Sequence, residues 1–329
     1  LNIKEIAELA GVSRATVSRY FNDGYVSEEK REKIRAVVEE KGYTPSAQAS
    51  ALRTKKTKLI GVILPKINSD AISRVVAGVN SVLYREGYQI ILADTENQEK
   101  REVEYLRLFD QNRVDGIILI ATIFTSEHRK ALKELTVPVV LVGQYLHGYS
   151  CVYHDDYGAS YALTKCLIEG GSKRIGFIGA TNKDVAAGLM RKKGFLAAMK
   201  EAGLPAPETV IKETSFSMEG GYEMAKELAG ANDLDGIVCA TDSMALGAER
   251  YLKEIGKRVP EDVQLAGVGD SKMGQVTTPS LTTAHLYYKT SGQEAARILL
   301  EALEKEEAPA REIKMAYTLK QKGSTRQSQ

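Results

Sequence analysis

The sequence predicts an α/β protein: an N-terminal three-helix helix-turn-helix head, a hinge, and two doubly wound α/β lobes. Three observations carry this. Residues 3–42 show helical periodicity broken by turn residues, from Leu59 onward short β-branched runs alternate with amphipathic stretches in two rounds, and the charge is unevenly shared. Residues 1–58 hold 12 Lys/Arg against 8 Asp/Glu, a net of +4, although the 329-residue chain has a net charge of only +2. A small basic head is expected on a nearly neutral body.

The first helix is expected over IKEIAELA, where Ile3, Ile6, Ala7 and Ala10 share one face. Gly11 permits a sharp turn, and Ser13 is a good N-cap for a second helix, RATVSRYF, that buries Val17 and Phe21. Ser27, followed by Glu28 and Glu29, reads as the cap of a third helix ending at Gly42. Three short helices with a tight first turn make a helix-turn-helix unit over 1–45. Residues 46–58 have good helix propensity but only Ala47, Ala51 and Leu52 as apolar material, so this segment reads as a linker that becomes helical when held.

The body begins at Leu59. Its first round of strands is LIGVILP, YQIILAD, VDGIILIA and VPVVLVG; its second is RIGFIGA, TVIKETS, LDGIVCATD and VQLAGVGD. Near-continuous apolar strands joined by helices mean buried parallel sheets, whose ligands lie beyond the carboxyl ends of the strands. The later strands LTTAHLY and IKMAYTLK return to complete the lobes. The boundaries expected are about 59–158 plus 287–320 for the N-lobe and about 159–286 for the C-lobe.

Several classes are excluded. Cys151, Cys166 and Cys239 are too few and too scattered for a disulfide framework, so a reducing compartment is expected. The start lacks a basic stretch followed by an apolar one, and no apolar run nears the ~20 residues of a membrane span. A cytoplasmic protein with no membrane partner is the expectation. No phosphate loop, nucleophile elbow, zinc-protease or dinucleotide motif occurs, so no enzyme activity and no cofactor are expected. His147, Cys151 and His154 have a spacing that faintly suggests zinc, but a fourth ligand is not evident and no metal is expected.

The second helix carries the most specific chemistry. Ser13, Arg14, Ala15, Thr16, Ser18 and Arg19 cluster in its first turns, where hydroxyls and guanidiniums can reach phosphates and base edges in a major groove. I-x-x-I-A-x-x-A-G-V-S-x-x-T-V-S-R, then V-S-E-E-K-R-E-K-I, then G-Y-T-P-S-A-Q-A-S-A-L resembles the LacI/GalR family of bacterial transcriptional repressors. V-D-G-I-I-L, D-D-Y-G-A, R-I-G-F-I-G, A-T-D-S-M-A-L-G and P-S-L-T-T extend the likeness over almost the whole chain.

The resemblance implies lobes of the periplasmic-binding-protein type and a homodimer that binds a pseudopalindromic double-stranded operator, controlled by a small effector. By the same likeness, Arg14, Ala15 and Arg19 read bases, while Ser13, Thr16, Ser18, Asn22 and Tyr43 contact the DNA backbone. Ser46 to Arg53 matches the family's hinge helix, with Ala49 at a close approach, Leu52 as a wedge in the central base step and Arg53 at the minor groove. In the body, Arg191, Phe216 and Asp242 match effector-binding positions.

The departures narrow the effector. Thr241 replaces a common Asn, Gly267-Val268-Gly269-Asp270 lacks a common effector carboxylate, and Lys66 stands where an acidic or amide residue is usual. Losing an anion and gaining a cation favours an anionic ligand. The sequence is most like the trehalose-operon repressor branch, which implies a phosphorylated disaccharide such as trehalose 6-phosphate as inducer. A neutral-sugar regulator of the same family is the alternative, ahead of a stand-alone sugar-binding protein.

Overall fold

In the computed structural model, the residues described are 2–22, 24–43, 56–231, 233–305 and 308–327. The chain divides into two compact units, Leu1–Lys58 and Leu59–Gln329. The expected hinge residues Ser46, Ala49, Leu52 and Arg53 lie outside the described residues.

In the first unit, α1 (Ile3–Leu9), α2 (Arg14–Tyr20) and α3 (Glu28–Lys41) pack around Ile6, Ala7, Ala10, Val17 and Ile34. Each boundary has a local cause. Asn2 caps α1 in a reciprocal capping box with Glu5, a device the sequence reading missed. Ser13 caps α2 by accepting from the Thr16 amide. Gly42 ends α3 at a φ of 57°, in the left-handed region. Ser27 differs from expectation: it precedes α3 but makes no side-chain cap, and the first turn instead carries the acidic Glu28 and Glu29. Phe21 is only partly buried, against Tyr43 at a ring separation of 5.6 Å.

The second unit contains two six-stranded sheets. The first has the order β11-β5-β4-β3-β1-β2, with β1 (Leu59–Leu64), β2 (Gln89–Asp94), β3 (Gly116–Ile120), β4 (Val139–Val142), β5 (Ser150–His154) and β11 (Glu312–Met315). All its pairings are parallel. The second has the order β12-β10-β9-β8-β6-β7, with β6 (Ile175–Gly179), β7 (Ile211–Glu213), β8 (Gly236–Cys239), β9 (Gln264–Val268), β10 (Thr282–Leu286) and β12 (Tyr317–Lys320). Only β12 runs antiparallel to its neighbour, β10. Strands β1, β3, β6, β8 and β9 are buried almost throughout, which is why they read as continuous apolar runs rather than alternating ones.

The expected lobe limits need one correction. Residues 317–320 do not finish the N-lobe: β12 pairs with β10 in the second sheet, while the preceding β11 pairs with β5 in the first. The chain crosses within the single residue between those strands, too short a joint for hydropathy to show. It also crosses after β5 and after β10.

Helices α4 (Asp70–Leu83) and α12 (Tyr288–Glu304) cover one face of the first sheet, and two glycines let their backbones touch. A Cβ on Gly78 would fall 2.0 Å from the Lys289 carbonyl oxygen, and one on Gly292 would fall 2.1 Å from that of Val75. Backbone cannot give way as a flexible side chain does. Gly78→Ala is therefore expected to lower stability by about 1–3 kcal/mol, read as an earlier urea midpoint; an unchanged midpoint would show that this seam can open at no cost.

Candidate functional site

The head presents a polar helix face over a small core. Arg14, Ala15 and Arg19 of α2 are exposed, and neither arginine forms an ion pair with another described residue. Ser13 and Thr16 join hydroxyls at 2.9 Å, so the same groups that start the helix stand at its exposed end. Ser18 is half-buried, and its carbonyl accepts from the Asn22 amide, which holds Asn22 against the end of the helix. Tyr43 packs its ring against Phe21 while remaining partly accessible. Ser13, Arg14, Ala15, Thr16, Ser18, Arg19 and Asn22 lie on α2 or at its ends, and Tyr43 lies just after α3; all are at least partly accessible.

In the second unit a cavity of about 440 Å³ opens beyond the carboxyl ends of both sheets. It brings together all four predicted effector residues: Lys66 after β1, Phe216 after β7, Arg191 at the start of α8 (Arg191–Glu201) and Asp242 at the start of α10 (Asp242–Glu254). Helices α5 (Glu99–Gln111), α6 (Ser126–Glu134) and α9 (Met218–Ala231) complete the packing around these strands, with α7 (Asp156–Glu169) following the first crossing and the short α11 (Lys272–Val276) the loop after β9.

Asp242 is buried, and both carboxylate oxygens already accept one hydrogen bond, from the Ser271 amide and the Thr283 hydroxyl, each at 2.6 Å. Burial pushes its carboxyl above the ordinary value, and these two donors oppose the rise. The N-cap of α10 is Thr241, not Asp242, which leaves the carboxylate free to face the cavity. Gly267 makes room for it, since a Cβ there would stand 2.7 Å from its Oδ1.

Arg191 lines the cavity but is not a free cation. Its Nε and Nη2 bond Asp156 at 2.8 and 2.7 Å, and its Nη1 bonds the Ala240 carbonyl. Burial works against its charge, yet Asp156 holds the guanidinium well above its usual basicity. A six-residue π-helix, Val185–Met190, leads into it, a geometry often found at functional sites. Lys66 differs: it is half-buried at the cavity and has no ion-pair partner among the described residues. Phe216 both lines the cavity and packs partly buried on the C-lobe core.

Further cavity residues were not among the predicted effector residues. Arg74 reaches from α4 to the Gly269 and Asp270 carbonyls, lies 5.0 Å over the Tyr288 ring and pairs with Asp70 at 2.9 Å. Gln144, after β4, donates to buried Asp184, after β6, at 2.7 Å. Both contacts join the two lobes. Asp184 and Gln144, like Asp242, lie beyond strand ends, where ligands of such sheets bind, so a signal was present; Arg74, within a helix, offered none. His154 and Tyr288 flank the crossings and meet edge to face at 5.1 Å.

Asp270, the carboxylate that follows the two glycines, faces elsewhere. It is buried among Lys320 at 2.6 Å, His285 at 2.9 Å and Lys322 at 3.0 Å. Burial would raise its carboxyl, but these lysines and the histidine hold it well below the usual carboxylate range. Cys151 is buried in the N-lobe core, with its thiol pushed up by burial, whereas His154 is at the cavity. Among the described residues no group of three His, Cys, Asp or Glu could hold a metal, and no helix is long and apolar enough to cross a membrane.

The head and the body each match a known family. Residues 2–46 fit the lacI family of bacterial regulatory proteins, and residues 164–325 fit the periplasmic binding protein-like domain. The sucrose operon repressor of Staphylococcus xylosus is 35% identical over 295 residues, covering 89% of this chain and 91% of that protein. The chain belongs to the LacI family of bacterial transcription regulators. TreR of Salmonella typhimurium is 32% identical, with 92% of this chain and 94% of that one covered, so the likeness does not single out the trehalose branch. The LacI fold is also seen in a lac repressor dimer bound to operator and the anti-inducer ONPF, which superposes with a TM-score of 0.90 at 23% identity over 99% of both chains.

The buried Arg191–Asp156 pair yields a test. Removing one partner strands the other charge out of water. Asp156→Ala should cost about 3–5 kcal/mol of folding stability by chemical denaturation, whereas a loss below about 1 kcal/mol would show that Arg191 is held by other groups.

Proposed function

We propose that this LacI-family chain is a sugar-responsive transcriptional repressor, which binds a pseudopalindromic operator as a homodimer and is released when a sugar fills the cavity. The observation that carries the reading is the presence in one chain of a helix whose two exposed arginines have no ion-pair partner among the described residues and a two-lobed cleft lined by buried carboxylates. Arg14 and Arg19 read bases, Ala15 offers only an apolar contact, and Ser13, Thr16, Ser18, Asn22 and Tyr43 engage phosphates. Ser46, Ala49, Leu52 and Arg53 form the minor-groove hinge.

Dimerisation is supported by the surface of the body. Strand β2 is an open sheet edge carrying the exposed Ile91 and Leu92, and Val276 is 80% exposed. Open edges and large exposed apolar side chains are what a self-complementary interface would cover.

The cavity suits sugar hydroxyls. Asp242 and Asp184 are acceptors, Arg191 is a fixed donor, and Phe216 supplies an apolar face. A phosphorylated disaccharide such as trehalose 6-phosphate is a second reading, favoured by Lys66, which has no ion-pair partner among the described residues. Arg191 is already paired with Asp156 and Arg74 with Asp70, so a phosphate would depend on Lys66, on the N-lobe.

Two outcomes are expected. Selection from random DNA should return a symmetric motif bound less tightly as salt rises, and Arg14→Ala should relax base preference by roughly 1–3 kcal/mol. Recovery of no symmetric motif would contradict operator binding. Titrating sucrose, trehalose and their 6-phosphates into wild type and Lys66→Ala decides the phosphate: preference for the phosphorylated form, lost in the variant, supports it, and equal affinities in both proteins refute it.

A further inference from the structure

We propose that His154 selects the effector at the crossover end of the cavity, its imidazole taking one uncharged hydroxyl of the ligand. The assignment rests on the sugar reading of the cavity. His154 is the last residue of β5 and lines the cavity, yet it is only 5% exposed and its Nε2 has no hydrogen-bond partner among the described residues. Buried polar groups are nearly always paired, and an unmade bond at such a group is destabilising. Nε2 itself is closed off from water in this structure, and a donor or acceptor brought by a ligand would complete it once it is uncovered.

The surroundings specify what kind of group. The imidazole lies edge to face with Tyr288, and the charges nearest it, Asp156 and Arg191, are already bonded to each other. Burial lowers its pKa to about 4; Arg191 adds to that and Asp156 opposes it, so the ring is neutral at physiological pH. A neutral imidazole offers one donor and one acceptor, and a hydroxyl offers both in return. To an anion the neutral ring offers a single N–H donor and no balancing charge. The cavity therefore has a polarity: hydroxyl recognition at His154, with any anionic substituent directed to the Lys66 end.

Place adds a consequence. The residue after His154 begins the chain's first crossing, and Asp156, two residues on, anchors Arg191 in the C-lobe. A ligand bonded to His154 would be fixed against the crossing itself.

The test uses the full chain and thermal melts with sucrose, trehalose and their 6-phosphates as probes, comparing wild type with His154→Leu and His154→Gln. Whichever sugar stabilises wild type should bind the leucine variant about tenfold more weakly, while glutamine, which keeps a donor and an acceptor, should retain most of the affinity. Without sugar the leucine variant should melt at or above wild type, since an unpaired polar group has been removed. Undiminished binding by the leucine variant, or a ligand-free melting point well below wild type, would overturn the assignment. If no probe shifts wild type, the sugar reading fails and this assignment with it; that pattern is distinct because the wild-type protein itself is silent.

Discussion

A guanidinium almost without access to water organises the body of this regulator. Arg191 is tied to Asp156, at the start of the helix that follows the first crossing, and to the Ala240 carbonyl just beyond β8. One side chain thereby joins the crossing, the π-helical lead into α8 and the strand end that presents Asp242. Burial makes the pairing obligatory, because neither charge could be left alone there at modest cost. The wall of the cavity is fixed before any ligand arrives, which is the condition for a small number of polar groups to discriminate between sugars.

Across the cavity the lobes are joined by weaker ties. Arg74 bonds a C-lobe carbonyl, and Gln144 bonds Asp184. A ligand inserted between the lobes must replace or extend these contacts, so it can alter the angle between the lobes by as much as its contacts differ between the two arrangements. Arg74 also explains a departure from the family pattern. Where a carboxylate is common, this chain has Gly269, whose backbone carbonyl Arg74 approaches, and Asp270 turns away to meet Lys320 and Lys322.

The alternation of β-branched runs and amphipathic stretches was legible because parallel strands buried on both faces have no other composition. The head was legible because caps, turns and a short polar helix are local. Asp242 was visible through its match to the family motif A-T-D-S-M-A-L-G, whereas Asp184 and Gln144, also beyond strand ends, stood in no such motif. What could not be read was pairing across distance. The buried pairing of Arg191 was invisible because Asp156 is 35 residues away. Gly267 read as part of a lost carboxylate motif, although its missing side chain is what accommodates Asp242. The crossing between β11 and β12 was hidden because one residue separates strands that belong to different sheets.

The central claim is that cleft and head are coupled, with the sugar and the operator opposing one another. Coupling of this kind is reciprocal and typically worth about 5- to 150-fold in affinity. The direct measurement is calorimetric titration of the sugar that the cleft binds into the protein alone and into its operator complex. Operator is expected to weaken sugar binding by the same factor by which saturating sugar weakens operator binding. A sugar affinity unchanged by operator would contradict it.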